Sequence, residues 1–209
     1  MSTYRTIAEP ACIEPPKIKG SRFIASVAFA GTEEEARAHV ASVRKQHHAA
    51  RHVCWAFRVG DAGEHCRSSD DGEPGGSAGR PILTAIEGVD VTYVAVAVVR
   101  YYGGTKLGVG GLVRAYGGAA QEGLAVAGVH VVVPTRAVTV SVPYDSMGAF
   151  ETFCVREGVA RPEGAYGQAV TFVFAVPEQE AEDFGARLVE ASAGRIGVEV
   201  ADESEVAAR

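Results

Sequence analysis

The sequence contains no apolar run long enough to cross a bilayer. Its most apolar stretch, Tyr93 to Val99, is far shorter than the ~20 apolar residues a spanning helix needs. Met1 to Pro16 lacks a basic start followed by an apolar block. A secretory leader is therefore not expected, and the reading is a cytoplasmic chain without membrane attachment. Cysteine is scarce and scattered: Cys12, Cys54, Cys66 and Cys154 follow no framework spacing. That excludes a disulfide-stapled scaffold and points to reduced thiols. His52, Cys54, His65 and Cys66 alternate along two neighbouring strand-like segments, but the close C-x₂₋₄-C knuckle of structural zinc is missing. No metal and no cofactor is expected. Neither G-x-x-x-x-G-K-[ST], G-x-G-x-x-G nor G-x-S-x-G occurs, so nucleotide-loop and elbow-serine chemistry find no support. No catalytic residue is assigned.

What is present begins with length. The 209 residues suit one large domain or two small ones, and 47% apolar content is ordinary for a globular chain. The formal charge of −6 is uneven. Residues 1–134 carry 14 Lys+Arg against 13 Asp+Glu, whereas 135–209 carry 6 against 13. A polyanion would therefore meet the first part, and only at a local patch.

The chain is organised around Val94 to Gln121. An unbroken β-branched run predicts a central strand covered on both faces. Gly103, Gly104, Gly108, Gly110 and Gly111 then surround Lys106. Leu112, Tyr116, Ala119 or Ala120, Gly123 and Ala127 follow at helical spacing. Strand, basic glycine-rich loop, helix is an anion-binding arrangement, because a helix start presents free N–H donors and the positive end of the dipole. The candidate anion- or nucleic-acid-binding residues are Arg80, Arg100, Tyr101, Lys106, Gly110, Gly111 and Arg114, with Tyr101 and Tyr102 offering rings for base stacking. A second loop, SSDDGEPGGSAGRP, carries Asp70, Asp71 and Glu73. These carboxylates either order the basic loop through ion pairs with Arg80, Arg100 or Lys106, or hold a hard cation. The spacing is not that of a calcium loop.

Element by element, residues 1–16 read as a loose or edge-pairing start. A strand is expected over Lys17 to Ala30, with Phe23, Ala25, Val27 and Phe29 on one face. Thr32 with Glu35 is a capping box opening a helix to about His48, with Ala36, Val40, Val43 and His47 inward. Then come strands at Val53–Val59 and Glu64–Ser68 about an Asp61–Gly63 turn, a helix with Pro81 at its first position, the central strand, the long helix and a strand at Val129–Val133. Pro134 and the charge shift set the boundary between domains 1–134 and 135–209. Beyond it a strand (Ala137–Val142), a helix capped by Asp145, a strand near Val159, a strand (Gln168–Val176), a helix with Ala181, Phe184, Leu188 and Ala191 inward, and a strand (Arg195–Val200) spell β-α-β-β-α-β, the ferredoxin-like order. The fold class is α+β, two α/β-sandwich domains.

RSSDDGEPGGSAGRPIL and VVRYYGGTKLGVGGLVRAYGGAA, with KIKGSRFIASV and ARHVCWAFRVGD upstream, resemble the IMPACT/YigZ family. The resemblance implies a first domain with the fold shared by a ribosomal S-five domain, elongation factor G domain IV and GHMP kinases. It implies a ferredoxin-like second domain resembling elongation factor G domain V. Eukaryotic relatives act on the starvation-activated control of translation initiation. The expected function is a non-enzymatic, RNA- or ribosome-associated regulator of translation or stress response. An enzyme acting on a phosphorylated small molecule, or a protein-binding regulator using the acidic second domain, are the alternatives.

Overall fold

The computed structural model describes residues 3–205, which are mixed α and β and divide into two compact units meeting between Val132 and Val133 in the sequence. In the first unit the elements are β1 (Tyr4–Ile7), β2 (Ala11–Ile13), β3 (Arg22–Phe29), α1 (Glu33–Gln46), β4 (His52–Val59), β5 (His65–Ser69), α2 (Gly79–Val89), β6 (Val94–Tyr101), α3 (Val109–Ala127) and β7 (Val129–Val132). Five strands form one antiparallel sheet in the order β2-β3-β6-β4-β5, while β1 pairs with β7 in a separate ribbon.

The apolar run of β6 takes the middle of the sheet because it alone can be covered twice. Val94, Val96 and Val98 face α2 and α3, Ala95, Ala97 and Val99 face α1, and all six are fully buried. The pleat extends this division by two residues: Arg100 continues the α2/α3 side and Tyr101 the α1 side. Helix α3 lies close to the sheet through its small residues. A Cβ at Gly123 would stand 3.0 Å from Val27. At the loop before α3, Gly103 crosses the backbone of Gly20 and Ser21 so closely that a Cβ would fall 1.9 Å from the Gly20 carbonyl carbon.

Several starts and stops differ from the expectation. Thr32 Oγ1 does accept from Glu35 N (3.2 Å), but Glu35 reaches back to Gly31 N rather than to Thr32 itself. His47 closes α1 and bonds Tyr101 instead of packing inward. Phe29 is half exposed and stacks on Tyr93. Pro81 is the third residue of α2, not the first. The Asp70 carboxylate takes the N–H groups of Ala78 and Gly79, so the helix starts earlier, and proline still removes no intrahelical bond in a first turn.

The second unit comprises β8 (Thr135–Val142), α4 (Met147–Glu157), β9 (Ala165–Tyr166), β10 (Val170–Pro177), α5 (Ala181–Ala191) and β11 (Gly197–Glu205). The antiparallel sheet order is β11-β8-β10-β9, so each β-α-β pair is split by a strand from the other. Val138, Val140, Val142, Phe172 and Phe174 line one face, and Phe150, Phe153, Phe184 and Leu188 cover it from the helices. Phe150 stacks on Phe172 at 4.5 Å. Val159 belongs to no strand. Gly158 ends α4 in the left-handed conformation (φ 69°), and Val159 N bonds Cys154 O at 3.0 Å, so the valine is the apolar residue that closes a Schellman turn. The strand forms later, at β9. Ser146, not Asp145, is the N-cap of α4, and Ala191 is exposed where Ser192 is buried.

Candidate anion-binding cleft

The acidic loop between β5 and α2 folds onto the basic side of the first sheet, and its three carboxylates take three different tasks. Asp70 accepts from the backbone N–H groups of Gly76 (2.8 Å), Ala78 (2.9 Å) and Gly79 (2.8 Å), filling the N-terminus of α2. Burial raises its pKa, but these N–H bonds outweigh it and hold the carboxyl below the ordinary aspartate value. Asp71 pairs with Arg44 of α1 (2.8 Å) and accepts from Val53 N (2.7 Å). Glu73 Oε1 accepts from Arg100 Nη1 (2.6 Å) and from the Tyr116 hydroxyl (2.8 Å), with both side chains of the ion pair under a tenth exposed. Arg100 lies over the rings of Phe23 and Tyr102, and its Nε–H finds no acceptor. The three carboxylates diverge, each taken by donors of the protein. Among the described residues no three His, Cys, Asp or Glu side chains group as a metal site.

Beside this pair opens a cleft of about 530 Å³ lined by Arg51, His52, Glu73, Pro74, Arg100, Tyr102, Lys106 and the start of α3. That volume lies in the ~300–1,000 Å³ range of small-ligand sites. Gly108 caps α3 with φ 72°, and no side chain among the described residues hydrogen-bonds that cap. Where α2 has its first N–H groups taken by Asp70, the start of α3 has no side-chain acceptor among the described residues, and Gly108, Val109 and Leu112 line the cleft. Arg51 and Lys106 make no ion pair among the described residues, whereas most arginines of this unit do. Tyr102 is 55% exposed at the rim. His52 Nδ1 lies 2.8 Å from the Asp71 carbonyl, which can only accept, so Nδ1 carries the proton.

The sequence-derived set is thus divided. Lys106 and Arg100 meet at the cleft, Arg100 with its charge already engaged by Glu73. Tyr101 stands on the opposite face of β6, where its hydroxyl bonds His47 (3.0 Å) and Arg22 covers its ring. The reason is the strand alternation that puts neighbouring residues on opposite faces. Arg80 and Arg114 line a different groove, about 470 Å³, between α2 and α3 with Thr84 and Gln121. Leu112 lines the cleft, and Arg114, two residues or about 200° further along α3, faces the other groove. Gly110 and Gly111 lie in the first turn of α3 and contribute backbone only. Arg51 and His52 were not legible as site residues. They gain their place from register, in which His52 pairs with Arg100 across β4 and β6. Cys54, fully buried below them, donates to the Asp70 carbonyl, and burial pushes its thiol up to about 12.

Comparison with known proteins covers both units. A family model for the Impact N-terminal domain matches residues 19–124, and one for a domain of unknown function (DUF1949) matches residues 140–195. An IMPACT family member of Haemophilus influenzae is 32% identical over 95% of this chain and 98% of its own. The IMPACT family member YigZ of Escherichia coli is 36% identical over 86% of this chain and 89% of its own. A Thermus thermophilus relative, titled IMPACT family member in pol 5'region, is 41% identical over 77% and 86%. A crystal structure titled only as that of a hypothetical protein aligns at a TM-score of 0.64 and 34% identity, covering 97% of this chain and 99% of the other. Among the described residues no helix is long and apolar enough to cross a membrane.

Proposed function

This chain belongs to the IMPACT family, and from that premise we propose that it is a non-enzymatic, RNA- or ribosome-associated protein acting in translation or the stress response. Single-stranded RNA is held in the cleft at the start of α3. One observation carries the reading: Arg51 and Lys106, without ion-pair partners among the described residues, line a single cleft with an exposed Tyr102 and the start of α3, whose cap holds no side-chain hydrogen bond. Cations and first-turn N–H groups suit a phosphate, and an aromatic ring suits a base whose sequence is not specified. The overall negative charge restricts binding to this patch.

Binding to a labelled single-stranded RNA, measured from low to physiological salt, tests it. Each neutralised phosphate releases counterions, so two contacts give a log–log slope of about −1.4. Lys106→Ala is expected to make the slope shallower by about 0.7 and to weaken different sequences alike, since phosphate contacts carry little sequence information. Arg114→Ala, in the other groove, is the control. An unchanged slope for Lys106→Ala, or no binding at low salt, counts against the proposal. The enzyme reading draws on Glu73 and His52 standing on the same wall as the cations. Saturable binding of a phosphorylated metabolite without RNA affinity would favour it.

A further inference from the structure

An RNA phosphate meets such a cleft either inside the chain, as a singly charged diester, or at a chain end, as a monoester. A monoester carries about −1.5 to −2 at neutral pH and presents three acceptor oxygens, where a diester has only two outside its ester bonds. The charges of the cleft can be counted against these. Arg100 and Glu73 cancel as a pair, 2.6 Å apart. Asp71, beside His52, is taken by Arg44 and Val53 N. Arg51 and Lys106 are exposed and make no ion pair among the described residues, so they leave two positive charges. The start of α3, lining the cleft through Gly108, Val109 and Leu112, adds roughly half a charge from the helix dipole. A diester balances less than half of that total, and a monoester most of it.

The donors give the same answer. Of the three Arg100 nitrogens only Nη1 bonds a described residue. The side chain is more than nine-tenths buried, and its Nε–H has no acceptor. A buried donor without an acceptor is costly, so this wall of the cleft rewards a further anionic oxygen pressed against it. Arg51, Lys106 and Arg100 then make three cationic groups for one phosphate. The Arg100 guanidinium carbon lies 5.5 Å from the centre of the Tyr102 ring, close enough for the phosphate and the base of one nucleotide. We infer that the cleft takes the terminal phosphomonoester of an RNA chain in preference to an internal diester, with the last base against Tyr102. This rests on the reading of the cleft as an RNA phosphate site.

The probes are three single-stranded RNA oligonucleotides of one sequence: hydroxyl-ended, 5′-phosphorylated and 3′-phosphorylated. Each carries an internal label and is titrated with the full-length protein at low salt by fluorescence anisotropy. At least one phosphorylated strand is expected to bind about tenfold or more tightly than the hydroxyl-ended one, and the strand that gains identifies the end. The advantage should shrink toward pH 5, because the second ionisation of a monoester lies near pH 6. The hydroxyl-ended strand at the same pH cancels any titration of the protein. Arg51→Ala, a change at an exposed side chain, should reduce the advantage several-fold, and Arg114→Ala should leave it. If the three strands bind alike and Lys106→Ala weakens them alike, the terminal-phosphate inference is overturned and the RNA cleft stands. An advantage unchanged at pH 5 does not come from the second charge and overturns it as well. If no strand binds at low salt, both readings fall.

Discussion

At the scale of single residues, the acidic loop shows that like side chains in one motif do different physical work. Asp70 is a helix cap, and its depressed pKa makes the cap pH-dependent with a definite sign. A carboxyl whose folded pKa lies below the unfolded value adds stability above the unfolded value, about 3.9, and loses it as pH falls toward the folded one. Asp70→Ala is expected to cost about 1–2 kcal/mol at pH 7, the usual cost of removing a cap. The gap between variant and wild type should narrow as pH falls below about 4, where the unfolded-state carboxyl takes up its proton, and close once pH passes the lower folded value. Urea midpoints at neutral pH and at pH 3 measure both terms. A gap that does not change with pH would mean the N–H bonds around Asp70 are not what depresses its pKa.

At the scale of elements, what the glycines do depends on what passes them. Gly103 is required because β6 leaves the sheet across the Gly20–Ser21 backbone, and backbone cannot step aside as a flexible side chain does. Gly103→Ala should therefore strain the entry to α3 by roughly 1–3 kcal/mol, the range for forced overpacking. It should also weaken RNA binding, because the same loop carries Lys106 to the cleft. Gly118, by contrast, faces open space, and Gly118→Ala serves as the comparison in thermal denaturation. Equal melting temperatures for the two variants would show that the crossing is not tight in solution. The sequence reads five loop glycines as equivalent, since a close approach between residues 20 and 103 leaves no local signal.

At the scale of the whole molecule, the two units differ in charge as well as in topology. The strands of one sheet do not continue into the other: β7 pairs with β1, and β8 opens a separate sheet. We propose domains 1–134 and 135–209, with Pro134 in the segment between them. Limited proteolysis followed by mass spectrometry should give first cuts within residues 133–136, or none before global unfolding. An early cut inside α3 or β10 would count against that division. The acidic second domain, with 13 Asp+Glu against 6 Lys+Arg over 135–209, is expected to repel RNA.

Periodicity and composition are enough for the central strand, for the α3 stripe and all of the α1 stripe but His47, and for the split-strand order of the second unit. Each depends on side chains a few residues apart, whose spacing is set by the pitch of a helix or the pleat of a strand. The strand expected near Val159 failed for the opposite reason. The left-handed turn at Gly158 spends Val159 on a cap contact, and local apolarity does not distinguish a capping valine from a strand valine. The basic loop was legible, but its partners were not. Strand register puts His52 opposite Arg100, the pleat turns Tyr101 away from Tyr102's side, and Arg114 faces the groove between α2 and α3 rather than the cleft that Lys106 lines. The sequence alone determined which segments form and which of them are basic. Only the tertiary structure decided which charges share a cleft, because that depends on pairings between residues about fifty positions apart.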